Sequence, residues 1–217
     1  MTVRQAPTPP ARRRTRAAAL AAGALAASLL LSGCAPLVLG GAAVGAVMVA
    51  SDRRTVGIQL EDQSIELRAS NRLREQLADR ANVSVTSYNR IVLLTGEVPA
   101  EADRARVEET VRGVDNVRAV VNELAVMAPT SLTERARDGM LATRVRAALI
   151  DARDVDSMAF KIVTERSVVH LMGRVTEAEA QRATEIARTI PGVQRVVRVF
   201  ELISPEELAA LRRAGGR

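Results

Sequence analysis

At 217 residues and 47% hydrophobic, the chain can hold one large domain or two small ones, each with its own core. Tyr88, Phe160 and Phe200 are its only aromatics, which leaves cores to Val, Leu, Ile and Ala and excludes nucleic-acid modules that stack bases on aromatic platforms. The formal charge of +6 is concentrated at the start: Arg4, Arg12, Arg13, Arg14 and Arg16 lie in residues 1–33 without an acid, and the rest holds 26 basic against 25 acidic residues, so no nucleic-acid partner is expected.

In chain order, "ARRRTR" is a positive n-region and "AAALAAGALAASLLL" (17–31) an uncharged apolar run of signal-peptide length. It is short for a membrane span, which needs about 20 residues. Leu31-Ser32-Gly33-Cys34 then places the chain's single cysteine after two small residues. This resembles the lipobox of bacterial lipoproteins, which implies a signal peptide over 1–33, cleavage before Cys34 and acylation of Cys34. The same resemblance implies the outer membrane, because Ala35 stands where an aspartate would favour inner-membrane retention. More than one acyl chain on that residue would make a stable anchor. Residues 34–60 read as the acylated N-terminus and a linker, with Arg53 and Arg54 as solvated linker residues.

The rest is a repeat. With an offset of 77, "NVSVTSYNRIVLLTGEV" (82–98) matches "AFKIVTERSVVHLMGRV" (159–175): both alternate apolar and polar residues and break at a polar turn, the pattern of a β-hairpin. Each hairpin is followed by a helix pattern (99–114 and 176–193), ended by Gly113 or Gly192, and then by a strand (116–126 and 194–203). Upstream, an offset of 76 aligns two further helices, Asp62 with Asp138 as helix-capping residues and Ile65, Ala69 and Leu73 with Leu141, Val145 and Leu149 as core stripes. The expected fold is α+β: two tandem α-β-β-α-β units, at 61–127 and 131–203, each a three-stranded mixed sheet with both helices on one face. A short helix capped by Ser204 is expected within 204–217.

Leu94-Thr95-Gly96-Glu97-Val98 and Leu171-Met172-Gly173-Arg174-Val175, with Gly113-Val114 and Gly192-Val193 opening the last strands, resemble the BON-domain family. The leader at 51–68 resembles the segment before the first unit of dual-BON outer-membrane lipoproteins. The resemblance implies a lipid-anchored protein on the periplasmic side that binds anionic phospholipid through the first helix of its second unit and supports envelope integrity. A periplasmic protein-interaction adaptor or chaperone-like stress factor is the alternative.

The residues themselves give that helix a second stripe, Met140, Thr143, Ala147 and Ile150, beside Arg144 and Arg146. An apolar stripe next to basic residues suits a bilayer interface. Its counterparts in the first unit, Ser64, Leu67, Asn71 and Arg74, are mostly polar. Unit charges of −3 for 61–127 and +2 for 131–203 favour the second unit at an anionic surface. The candidate phospholipid site is therefore Met140, Arg144, Val145, Arg146 and Ile150, although Met140 and Ile150 could instead pack against the first unit. The related lipoprotein has a tryptophan where Met140 aligns, and methionine is the weaker interfacial anchor.

Chemistry is expected to be absent. His170, the only histidine, aligns with Leu93 and reads as a strand-face residue. Neither a nucleophile–base pair nor a metal-ligand spacing appears, so neither an enzyme nor a cofactor is expected.

Overall fold

The computed structural model describes residues 52–77 and 80–215. Cys34, the signal-peptide reading and most of the linker lie outside the described residues.

Each unit folds in the order helix, hairpin, helix, strand. In the first, α1 (Val56–Leu77) precedes β1 (Asn82–Tyr88), β2 (Ile91–Val98), α2 (Glu101–Arg112), β3 (Ala119–Asn122) and β4 (Ala125–Val126). In the second, α3 (Leu132–Asp151) and a 3-10 turn (Ser157–Ala159) precede β5 (Phe160–Glu165), β6 (Val168–Val175), α4 (Glu177–Thr189) and β7 (Arg195–Leu202). A final helix, α5, runs over Pro205–Gly215. The hairpin strands are antiparallel, and the strand after the crossover helix pairs parallel to the middle strand: β3 and β4 to β2, β7 to β6. The expected final strand of the first unit is split because Asn122 turns its side chain to the Leu124 N–H.

Except for α2, which follows Ala100 without a side-chain cap, the helices start where a side chain satisfies a free N–H group. Thr55 Oγ1 accepts from Ile58 N, and Ser204 Oγ accepts from Glu207 N. Ser131 with Glu134, and Thr176 with Glu179, form complete capping boxes.

Asp62 and Asp138 are therefore not caps. Each lies six residues inside its helix, buried, with its carboxylate aimed at the hairpin turn. Asp62 accepts from Asn89 N and Arg90 N, and Asp138 from Arg166 N and Ser167 N. The four turn residues all have positive φ, between 49° and 65°. Such two-residue turns match the right-handed twist of the strands.

The glycine of each "L-x-G-x-V" strand has a steric cause. A Cβ on Gly96 would lie 2.0 Å from the Asn82 carbonyl oxygen, and one on Gly173 2.5 Å from that of Ala159. Gly113, by contrast, follows α2 at φ −81°, a conformation open to any residue.

Side-chain alternation gives each sheet two apolar faces. One face packs under its own helices: Val92, Leu94 and Val98 with Ile65, Ala69, Val107 and Val111 in the first unit, and Val169, Leu171 and Val175 with Val145, Leu149, Ala180 and Ala183 in the second. The opposite faces pack on each other. Tyr88 and Leu93 from one sheet meet Met172 and Val199 from the other, with Ile91, Val121, Val163 and Val197 around them. The layers thus run helices, sheet, sheet, helices.

Polar contacts tie this seam at its edges. Glu97, fully buried, accepts from Asn82, Thr130 and Arg166. Asn89 reaches Glu201, which also pairs with Arg118. Lys161 Nζ donates to Glu66 at 2.9 Å.

Candidate functional site

The outward side of α3 carries the candidate surface. Asp138, Leu141, Val145 and Leu149 face the core. A helix has 3.6 residues per turn, so the opposite side takes Leu132, Ala136, Met140, Thr143, Ala147 and Ile150, all exposed. Leu132 is 81% exposed, Met140 54% and Ile150 61%. Met140 and Ile150 therefore do not pack against the first unit. Val145 leaves the candidate set for the reverse reason: it is fully buried, and its side chain points into the sheet core.

Sequence periodicity located the stripe from Met140 onward but missed Leu132 and Ala136. They lie upstream of Asp138, where periodicity alone sets the helix start. With them the stripe runs from Leu132 to Ile150, about 27 Å along the helix axis. Met158, also exposed, sits on the 3-10 turn that packs beside the same helix.

Arginines border the stripe on both sides. The 3.6-residue period places Arg135 and Arg146 along one flank and Arg137 and Arg144 along the other. Among the described residues, none of the four makes an ion pair within 4.0 Å; of the basic residues elsewhere thirteen do and eight do not, Arg72 and Arg74 of α1 among the latter. Arg146 is the least solvated. Its Nη1 donates to the carbonyls of Ser157 and Phe160, at 3.3 and 3.1 Å, and burial without a neighbouring carboxylate lowers its pKa from the usual guanidinium range.

The sibling helix is an internal control. An offset of 76 maps Leu132 to Val56, Arg135 to Gln59, Ala136 to Leu60, Arg137 to Glu61, Arg144 to Arg68 and Arg146 to Ser70. α1 exposes Val56, Leu60 and Leu67, so apolar exposure is not confined to the second unit, contrary to the sequence comparison. Charge separates the two helices. In α1 the flanking Arg68 is neutralised by Glu61 at 2.7 Å; in α3 both of those positions are arginine.

Arg53 and Arg54 are not solvated linker residues. Arg53 is buried, with Nη1 and Nη2 on the Glu179 carboxylate at 2.8 and 2.6 Å and Nη1 also on the Arg174 carbonyl. Arg54 pairs with Asp52 and Asp62, each at 2.7 Å, and lies 4.1 Å over the Tyr88 ring. Adjacent leader residues thus grip different units. Burial opposes ionisation of Glu179, but hydrogen bonds from Arg53 and Thr176 outweigh it and hold the carboxyl down to about 2.

Comparison with known proteins agrees with this architecture. The BON domain model matches twice, at residues 61–128 and 137–203. The chain belongs to the BON-domain family. It is 35% identical to the outer membrane lipoprotein DolP of Haemophilus influenzae over 181 residues, 82% of this chain and 93% of the relative. It is also similar to the 21 kDa hemolysin of Actinobacillus pleuropneumoniae, 28% identical over 154 residues, covering 70% of this chain and 79% of the relative. Similarity to osmotically-inducible protein Y of Escherichia coli is 28% over 156 residues, 68% of this chain and 76% of the relative. The dual-BON α+β fold expected from the repeat is the fold observed, with α1–β4 as BON domain 1 and α3–β7 as BON domain 2.

No described helix is long and apolar enough to cross a membrane, and among the described residues no group of three or more His, Cys, Asp or Glu side chains could hold a metal.

Proposed function

We propose that the chain is a lipid-anchored outer-membrane protein, acylated at Cys34 and facing the periplasm, whose BON domain 2 binds anionic phospholipid through the outward face of α3 and so supports envelope integrity. The observation that carries this reading is the border of four unpaired arginines, Arg135, Arg137, Arg144 and Arg146, around the exposed stripe Leu132–Ile150. A helix lying in the interface plane buries its apolar face at the acyl boundary and keeps cations at headgroup depth. Arginines on both flanks suit that orientation, with lipid phosphates completing the charge pairing that the protein withholds. The name of the Haemophilus relative and the lipobox around Cys34 support the anchor and its membrane.

The test is vesicle flotation with the chain carrying Cys34→Ala, which removes the acyl anchor. Flotation with phosphatidylglycerol vesicles but not with phosphatidylcholine vesicles is the expected result; absence from both fractions would reject the reading.

A second reading, an adaptor for protein partners, draws on the exposed Val56, Leu60 and Leu67 of α1, beside which Arg68 is neutralised by Glu61. Retention of a partner by the Cys34→Ala chain without any vesicle binding would favour it.

A further inference from the structure

His170 lies in the seam between the domains, two residues before Met172 on the same face of β6, and is only 2% exposed. Its Nδ1 lies 3.3 Å from the Val163 carbonyl oxygen on β5 and donates to it. That bond leaves Nε2 as a bare acceptor, and Nε2 has no hydrogen-bond partner. What it faces is another acceptor, Glu123 Oε2 of domain 1, 3.8 Å away. The same Oε2 is held by Arg195 of β7 at 2.6 Å. Arg166, from the β5–β6 turn, adds a second positive charge nearby. Domain 1 otherwise lines this part of the seam with apolar side chains, Leu93 and Val121.

We infer that the seam between the two BON domains is a pH-sensitive contact and that proton uptake by His170 loosens it. A buried neutral imidazole adds no charge beside Arg166 and Arg195; a buried imidazolium adds a third positive one. The added proton on Nε2 would face Glu123 Oε2 from 3.8 Å, beyond hydrogen-bond reach, while Arg166 and Arg195 repel the new charge. Burial accordingly holds the pKa below the ordinary 6.5, with Glu123 only partly offsetting it. Because the folded-state pKa is depressed, this contribution to stability is complete above pH 6.5 and is lost progressively as pH falls from there towards the folded value. The grip of Arg53 on Glu179 survives that range, since the Glu179 carboxyl ionises at about 2. Mild acid would therefore open the seam while the leader stays fastened to domain 2.

The chain carries its own probe. Tyr88 is its only tyrosine, tryptophan is absent, and the Tyr88 ring is buried in the seam with its hydroxyl donating to the Ala159 carbonyl of domain 2. The phenol stays neutral throughout, because burial, with Asp52 adding to it, pushes its pKa up to about 12. Acrylamide quenching of Tyr88 fluorescence in the full chain is expected to rise about twofold or more between pH 7.5 and 5.0. His170→Leu, which installs the side chain that domain 1 uses at the matching position, should abolish the rise; His170→Gln tests the same point if the leucine variant folds poorly. The single imidazole should titrate by NMR below 6.5, and lower still in Glu123→Gln. A flat quenching profile in the wild type, the same rise in the folded His170 variants, or an imidazole pKa at or above 6.5 would overturn the inference.

Discussion

Asp62 and Asp138, 76 residues apart, do the same work in the two BON domains: each is the seventh residue of its domain's first helix and holds the hairpin turn below it with two backbone N–H bonds of 2.7–2.8 Å. The turns need it. Arg90 and Ser167 adopt positive φ without being glycine, a conformation that costs on the order of 1–3 kcal/mol for such residues.

Replacing Asp138 with Asn removes the charge and one acceptor from a buried position. Hydrogen bonds to a charged group contribute about 1.5–3 kcal/mol each, so Asp138→Asn should destabilise the chain by about 1–3 kcal/mol. Asp62→Asn should cost more, because Asp62 also accepts from Ser87 and Arg54. Denaturant unfolding measures both. Adding Ser167→Gly to Asp138→Asn should restore part of the loss by relieving the turn, whereas Ala at 167 should not.

The two motif glycines should tolerate substitution unequally. Alanine at Gly173 meets a carbonyl oxygen at 2.5 Å; alanine at Gly96 meets one at 2.0 Å and must also hold φ +110°. Both should destabilise by at least about 2 kcal/mol, with Gly96→Ala the worse. Equal and negligible losses would mean that β1 and β5 can move away, which their pairing with β2 and β6 argues against.

The lipid surface makes a graded prediction. Ile150→Glu and Leu132→Glu place a charge at either end of the stripe and should abolish binding of the Cys34→Ala chain to phosphatidylglycerol vesicles without changing its unfolding midpoint, since both side chains are solvent-exposed. Arg144→Ala should weaken binding about fivefold, the equivalent of about 1 kcal/mol per cation near an anionic surface, and should flatten the salt dependence. Val145→Ala should instead lower stability by creating a core cavity.

Local pattern made the element order and the hairpins legible, because alternation, turn residues and helical spacing are properties of neighbouring residues. Misreadings arose where partners are distant. Arg53 reads as solvated because Glu179 lies 126 residues away; His170 is the strand-face residue the pattern indicates, but the carboxylate 3.8 Å from it, Glu123, belongs to the other domain and is invisible to local pattern. Asp62 and Asp138 read as caps because no fully buried residue, and so no core stripe, precedes either one in its helix. For the same reason Leu132 went unrecognised as the start of the lipid-facing stripe.

Arg53 is the clearest case in which a linker residue controls the fold. Its guanidinium satisfies a carboxylate that closes the capping box of α4 with Thr176, so removing it both unpairs Glu179 and weakens a helix start. Breaking one side of a buried pair costs about 3–5 kcal/mol. Glu179 keeps a small solvent exposure, 12% of its side chain, so Arg53→Ala should cost somewhat less, about 2–4 kcal/mol. The pH dependence identifies the pair. With a folded value of about 2 against 4.5 for a free glutamate, the stability that Glu179 contributes is complete above pH 4.5 and is lost as pH falls from there to about 2. In Arg53→Ala that part of the acid transition should shrink, because burial then opposes ionisation of Glu179 with only the Thr176 bonds to offset it. The exchanged pair Arg53→Glu with Glu179→Arg would restore the charge interaction but not the cap, so it should recover only part of the stability. Full recovery would show that the cap contributes little, and no recovery that the Arg53 bond to the Arg174 carbonyl dominates.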